Sequence, residues 1–126
     1  MELYDPDIAP VAAEWLALSE LERIDLVEAF HEESGGFGQS IHLHAALHAV
    51  VENQLALGEP LEARRALSRL VAGGSTRHEA IHAIGGVLAE FLFPTLSAEA
   101  DAPPFDTRGY LRALSELTIE RWRSNG

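Results

Sequence analysis

The sequence predicts an all-α protein, a small helical bundle of five to six helices that mostly run antiparallel. Helix signals recur along the 126 residues, whereas strand signals are scarce. Capping residues and stops made of glycine or proline divide the chain into segments of helical length. The connections between most of these segments are short, which favours antiparallel neighbours. A chain of this length is expected to form one domain around a single core.

The N-terminal region should contain two helices before a glycine-rich loop. We predict a short helix over residues 10–17, with Pro10 in its first turn, and a second helix over 20–33. Ser19 and Glu22 form a capping-box pattern at the start of the second helix. Its inward stripe is predicted from apolar residues at helical spacing, namely Leu21, Ile24, Val27 and Phe30.

The third predicted helix spans residues 41–57, with Ser40 as its cap and Gly58 as its stop. Most of it is apolar, but it ends with a polar cluster. We expect Asn53 to face solvent and Gln54 to form a hydrogen bond across a helix contact.

Two further helices should follow before a proline-rich stretch. Pro60 opens a fourth helix that runs to about residue 72 and ends at a pair of glycines. Thr76 caps the fifth, which continues to Phe93 and stops at Pro94.

These elements suggest a simple domain organisation. Residues 1–93 should form the bundle core, and residues 94–106, rich in proline and small residues, should be a linker. Residues 107–126 should hold a C-terminal helix, over about 107–123, that packs on the same domain.

Composition excludes several classes of function. The net charge of −11 argues against nucleic acid as a partner, because a phosphate backbone requires a basic surface. Cysteine is absent, so thiolate metal sites are excluded, and lysine is absent, so Schiff-base chemistry is excluded too. Without a long apolar run or a signal peptide, we predict no membrane span and a cytoplasmic location.

Charge and termini leave room for protein partners. Residues 1–34 hold ten acidic residues and a single basic one, Arg23. This segment could meet a basic protein, although an acidic face that aids solubility explains it more simply. The last helix, which carries Trp122 near its end, could form a homodimer contact.

The candidate site consists of two histidine pairs with the same spacing. His44 and His48 are four residues apart, as are His78 and His82. Residues at this spacing lie on one face of a helix, so Glu52 extends the first pair into a column. Apolar residues share that face, which indicates that the histidines point into the bundle and that His42 points outward.

Four imidazoles on core-facing sides indicate a metal or another polar ligand. Imidazole is the commonest metal ligand in proteins, and helical bundles often build metal sites from facing helices. We therefore predict a divalent ion, Zn²⁺, Fe²⁺, Ni²⁺ or Mn²⁺, between the third and fifth helices. Its ligands would be His44, His48, His78 and His82, with Glu52 as a fifth ligand or as an acceptor behind them. The pair Gly85-Gly86 should serve close helix packing or a bound group.

Other interpretations remain open. Each histidine could be a core residue bonded to a carbonyl or to a neighbour, in which case the protein is a non-enzymatic interaction or dimerisation module. Residues 78–82, His-Glu-Ala-Ile-His, also match the zinc-protease pattern in which a glutamate activates water. Thr76 and Glu79 form a capping-box pattern, however, which gives Glu79 a structural role.

The stretches HAALHAVVENQLALGEP and RLVAGGSTRHEAIHAIGGVLAE, with the opening YDPDIAPVAAEWLALSELERIDLVEAFH, carry a family resemblance. They resemble a small uncharacterised bacterial family, a domain of unknown function, over residues 3–93. Its members pair a His-x-x-x-His-x-x-x-Glu helix with an Arg-His-Glu-Ala-Ile-His helix. The matching positions here are His44, His48, Glu52, Arg77, His78, Glu79 and His82. The resemblance supports a shared site and implies no particular reaction.

Overall fold

The computed structural model describes residues 1, 3–33, 41–96 and 101–125, and these residues form helices and connections with no strand. The helices are α1 (Ala12–Ala17), α2 (Glu20–Glu33), α3 (Ile41–Leu57), α4 (Leu61–Ala72), α5 (Arg77–Leu92), α6 (Thr107–Glu116) and α7 (Ile119–Asn125). A short 3₁₀ helix (Phe93–Leu96) follows α5 directly. The predicted all-α fold is therefore confirmed.

Local capping fixes several of the helix boundaries. The Ser19 hydroxyl accepts a hydrogen bond from the Glu22 amide at 3.1 Å, and the Glu22 carboxylate accepts one from the Ser19 amide at 2.9 Å. The hydrogen bond from the Ser19 amide also lowers the pKa of Glu22. At the end of α3, Gly58 adopts a φ of 72°, a left-handed conformation that glycine reaches without strain. The predicted loop over 34–39 and the predicted cap at Ser40 lie outside the described residues.

The predicted last helix is in fact two helices. The backbone of Leu117 is extended, and α7 starts two residues later. Arg69 stabilises this break, because its guanidinium donates to the carbonyls of Leu114 at 2.6 Å and Leu117 at 2.8 Å. The Thr118 hydroxyl then accepts a hydrogen bond from the Arg121 amide, as the N-cap residue of a helix does. A helix-capping threonine therefore divides a segment whose apolar spacing suggested one helix.

Two apolar clusters form the core. The first joins α3 through α7 around Leu70, Ile81, Ile84 and Leu114, each at most 1% exposed. The second joins the N-terminal segment, α1, α2 and α3 around Trp15 and Val27, both fully buried. Helix α3 contributes to both clusters, since Ala45 and Ala49 belong to the second and Val51 and Leu55 to the first. The prediction that Leu21 belongs to the inward stripe of α2 is wrong, because this residue is 63% exposed.

The polar cluster at the end of α3 differs from its prediction in one residue. Asn53 does not face solvent: its side-chain oxygen accepts from the indole of Trp15 at 2.8 Å and from Arg23 at 3.1 Å. The prediction that Asn53 faces solvent was wrong because α1 and α2 cover this face of α3. Gln54 does bond across a helix contact, since it accepts from the Tyr110 hydroxyl at 2.8 Å.

Helix α5 with its 3₁₀ extension, residues 77–96, is the one described segment long and apolar enough to cross a membrane. A single such helix is weak evidence of a membrane span, because core helices of soluble proteins have the same composition. Here α5 packs against α3, α4 and α6, and 28% of its most apolar 18-residue window is buried. Its packed positions, Ile81, Ile84 and Leu88, are at most 4% exposed.

Candidate metal centre

Helix α3 presents its histidines as the spacing predicts. His48 and Glu52 are buried, at 3% and 1% exposure, and His44 is half-buried. His42, two residues before His44, has a side chain that is 70% exposed and pairs with the Glu28 carboxylate on α2. The column of His44, His48 and Glu52 therefore faces the interior.

Helix α5 is fixed at its start by two caps. The Thr76 hydroxyl accepts from the Glu79 amide at 3.0 Å, and the Glu79 carboxylate accepts from the Thr76 amide at 3.2 Å. The Asp7 carboxylate accepts from the His78 amide at 3.0 Å, which ties the N-terminal segment to the same helix end. The negative charge of Asp7 also interacts favourably with the positive end of the helix dipole. These contacts hold His78 and His82 on the face toward α3.

The two histidine pairs meet crosswise between α3 and α5. Nε2 of His44 lies 3.2 Å from Nε2 of His82, although the two residues are on different helices. Nε2 of His78 lies 3.1 Å from the same His82 atom. The ring of His48 stacks on that of His78, with centroids 5.7 Å apart and planes 11° apart. Each of His44, His48 and His82 offers a ligand atom, and all three atoms lie within 4.8 Å of one another.

These separations can be compared with a coordination sphere. With metal–nitrogen bonds of about 2.0–2.1 Å, two nitrogens on one tetrahedral ion lie about 3.3–3.4 Å apart. Two neighbouring nitrogens on an octahedral ion with the same bond lengths lie about 2.8–3.0 Å apart. The His44–His82 and His78–His82 separations, 3.2 and 3.1 Å, fall between these values. Small side-chain shifts would therefore bring these nitrogens onto one ion.

Tyr4, from the N-terminal segment, contacts the buried end of the cluster. Its hydroxyl donates to the Glu52 carboxylate and lies 3.1 Å from Nε2 of His48. A hydroxyl has one proton, so the oxygen of Tyr4 is left to accept from His48. That hydrogen bond places the proton of a neutral His48 on Nε2 and its lone pair on Nδ1. Nδ1 is therefore the nitrogen of His48 that could bind a cation.

Glu52 itself is held by Arg77, the first residue of α5. The guanidinium donates two hydrogen bonds of 2.8 Å to the two oxygens of the carboxylate, and a third of 2.9 Å to the carbonyl of Pro6. Burial and the neighbouring Glu52 charge raise the pKa of Tyr4 far above its usual value. Burial works against the charge of Arg77, but the hydrogen bonds and charge of Glu52 outweigh it and raise its pKa.

The predicted ligands thus separate into two groups. His44, His48 and His82 converge, and His78 adjoins them through His82. Glu52 is not in the converging group, because its carboxylate is engaged by Arg77 and Tyr4. Its carboxylate is linked to His48 through the hydroxyl of Tyr4, which corresponds to the acceptor role predicted as the alternative to direct ligation.

The sequence reasoning missed Tyr4 and the role of Arg77 as the partner of Glu52. Tyr4 is 44 residues from His48, and no spacing rule connects the two. Arg77 carried a usable signal, because a buried glutamate requires a cationic or hydrogen-bonding partner. The chain has nine basic residues, and Arg77 directly precedes a predicted site histidine.

The zinc-protease interpretation of residues 78–82 finds no support in the geometry. The backbone amide and the side-chain carboxylate of Glu79 both form hydrogen bonds in the cap with Thr76. The carboxylate also lies 3.9 Å from Arg123 on α7. A glutamate that activates water must reach the metal-bound water between the histidines, whereas this one is directed to the helix end.

Fold and site together define a helical domain with a histidine cluster between two of its helices. The chain belongs to the family DUF1841, described as a domain of unknown function, whose model matches residues 14–116. The match confirms the family resemblance and extends it beyond residue 93 into α6, while the segment that holds Tyr4 precedes it. No curated protein and no solved structure matches the chain.

Proposed function

We propose that this protein binds one divalent metal ion between α3 and α5. The ligands would be His44, His48 and His82, with His78 as a fourth nitrogen donor and Glu52 as a fixed acceptor behind Tyr4. The observation that carries the proposal is the approach of Nε2 of His44 to Nε2 of His82, at 3.2 Å, from two separate helices.

The single proton or lone-pair position on Nε2 of His82 supports a cation within the cluster. A neutral ring nitrogen has one in-plane position, which holds either a proton or a lone pair. Nε2 of His82 has two imidazole nitrogens within 3.2 Å, from His44 and His78, and cannot form a well-directed hydrogen bond with both. An ion between the rings would accept a lone pair from each of the three nitrogens.

The donor set favours some metals over others. Imidazole nitrogen suits Zn²⁺, Ni²⁺ and Fe²⁺, whereas Mn²⁺ prefers carboxylate and carbonyl oxygen. The Glu52 carboxylate is paired with Arg77 and neutralised by it. We therefore rank Zn²⁺, Ni²⁺ and Fe²⁺ above Mn²⁺. Four histidine nitrogens leave one or two coordination positions for water or a ligand on a five- or six-coordinate ion, and a tetrahedral ion keeps one such position when only three of the histidines bind it.

The Glu52–Tyr4–His48 chain fits the supporting role that buried acceptors play at metal sites. A carboxylate or hydroxyl that accepts from the second nitrogen of a ligating histidine fixes its tautomer and orientation, and its loss typically lowers metal affinity 10- to 100-fold. Tyr4 accepts from His48 in this arrangement, Glu52 accepts from Tyr4, and Arg77 holds Glu52.

The test is metal content and metal affinity in matched variants. Purified protein should contain about one equivalent of metal by elemental analysis, and His48→Ala and His82→Ala should each lose it. His42→Ala is the control, because this histidine is exposed and directed away from the cluster. Circular dichroism establishes that each variant is folded.

Titration with Co²⁺ gives an independent reading through its visible absorption. The wild-type protein and His42→Ala should bind one equivalent, and His82→Ala should bind at least 100-fold more weakly. If the folded wild-type protein neither contains metal nor takes up Co²⁺, the proposal is wrong. The histidines would then be the polar part of a helical interaction module.

A further inference from the structure

A cavity of about 240 Å³ opens beside the histidine cluster, between α3 and α5. Part of its wall is formed by His44, His48 and His82. The other described lining residues are uncharged: Leu47, Ile81, Gly85, Gly86 and Ala89. A ligand of the proposed metal would therefore have its donor end at the histidines and its body against apolar side chains.

The glycine pair in α5 is explained by this cavity and not by helix packing. A Cβ atom added at Gly86 would have no described atom within 4 Å, and one at Gly85 would meet only Cγ2 of Val51, at an ordinary 3.9 Å. Alanine would thus fit at both positions and would favour the helix more than glycine does. Both glycines line the cavity, and Gly86 also borders a second cavity of about 540 Å³ on its other side, so what their missing side chains provide is open volume.

The size of the cavity limits what can enter. A cavity of about 150 Å³ lined by apolar side chains accommodates benzene. By that comparison, 240 Å³ admits a molecule of roughly ten non-hydrogen atoms or fewer. Gly86 is exposed, so the cavity reaches solvent at this side and a ligand can enter without unfolding of the helices.

We infer that the metal site takes a small organic ligand with a short apolar body and one oxygen-donor head group. This inference rests on the proposed function, since the head group binds the metal. Neutral imidazoles leave the full charge of a divalent ion in place, which favours an anionic head such as a carboxylate or hydroxamate. The uncharged walls favour a straight or singly branched hydrocarbon body over a sugar, a nucleotide or a charged side chain.

The test uses Co²⁺-loaded protein and a series of straight-chain alkyl hydroxamates, from acetohydroxamate to octanohydroxamate. Binding is followed by the change in the visible absorption of cobalt. Each added methylene that enters the cavity should tighten binding by about fourfold, until the cavity is filled and the affinity levels off. An affinity that does not depend on chain length would overturn the inference while leaving the metal site intact.

Two leucine substitutions provide a matched comparison. Ala89→Leu fills part of the cavity, so the affinity should stop rising at an alkyl chain at least two carbons shorter than in the wild-type protein. Ala113→Leu adds the same group to a different cavity, of about 540 Å³ between α5, α6 and α7, and should behave as wild type. Gly86→Ala is a milder change, which should weaken the binding of the longer hydroxamates about fourfold for each methylene that it displaces from the cavity. This variant provides the test if Ala89→Leu does not fold.

The outcomes separate the two proposals. Cobalt absorption with no chain-length dependence, or with the same dependence in Ala89→Leu as in wild type, contradicts the cavity inference alone. Absence of cobalt absorption in folded wild-type protein contradicts the metal site, and the inference that depends on it falls as well.

Discussion

Removal of the charge of Glu52 should be among the most damaging conservative changes in the protein. The Glu52 carboxylate is 1% exposed and receives two hydrogen bonds of 2.8 Å from Arg77, whose side chain is 13% exposed. Glu52→Gln keeps the shape but leaves the guanidinium buried without a counter-charge. Loss of one partner of a buried pair typically costs 3–5 kcal/mol, and we expect a loss of about that size. In a domain of this length, that corresponds to a fall in melting temperature of about 10–30 °C.

Urea unfolding followed by circular dichroism measures this loss, with Glu116→Gln as the control. Glu116 pairs with Arg121 at 3.6 Å, but both side chains are about half exposed, so the control should lose less than about 1 kcal/mol. The double variant Glu52→Gln/Arg77→Gln should lose less than the sum of the two single variants, because each removes the same interaction. A loss below 1 kcal/mol for Glu52→Gln, or simple additivity, would refute the reasoning.

Three further predictions concern stability. Gly86→Ala should raise the free energy of unfolding by up to about 1 kcal/mol in urea titrations, because the added Cβ meets open space and alanine favours the helix; a destabilised variant would contradict the open geometry. Asn53→Ala should lower that energy by about 1–3 kcal/mol, since it leaves the buried indole of Trp15 without its acceptor; an unchanged midpoint would show that the bond is dispensable. Burial raises the pKa of Tyr110 to about 12, and Tyr4 is raised further, so both tyrosines favour the fold while neutral. The contribution of these tyrosines to the free energy of unfolding should therefore be constant below pH 10 and fall between pH 10 and 12, because the unfolded chain ionises first. Tyrosinate absorbance near pH 10 in folded protein would contradict this.

The sequence predicts the helices well where its signals are local. The bounds of α2 and α3 agree with the prediction, because the capping box at Ser19 and the glycine at residue 58 act within a few residues of the chain. The division between α6 and α7 was missed because it depends on Arg69, a residue 45 to 48 positions away that satisfies the carbonyls at the break. Thr118 was a local signal that the apolar spacing outweighed.

The candidate site was predictable in its histidines but not in its support. Helical periodicity is sufficient to place His44 and His48 on an inner face and His42 on an outer one, and the exposures agree. The periodicity of a single helix carries no information about which distant residue meets that face. Tyr4 and Arg77 are brought to Glu52 by the way the N-terminal segment crosses the start of α5, which is a property of the tertiary fold.

The position of the histidines between the two apolar clusters has a consequence for how the protein unfolds. Tyr4 and Phe30, which belong to the cluster of the N-terminal segment, contact the rings of His48 and His78. His78 and His82 extend from α5, the central helix of the other cluster. An occupied site would act as a cross-link between the two halves and make them melt as a single cooperative unit. Without the ion, the half built on α1 and α2 and the half built on α4 to α6 could exchange their amide protons at different rates.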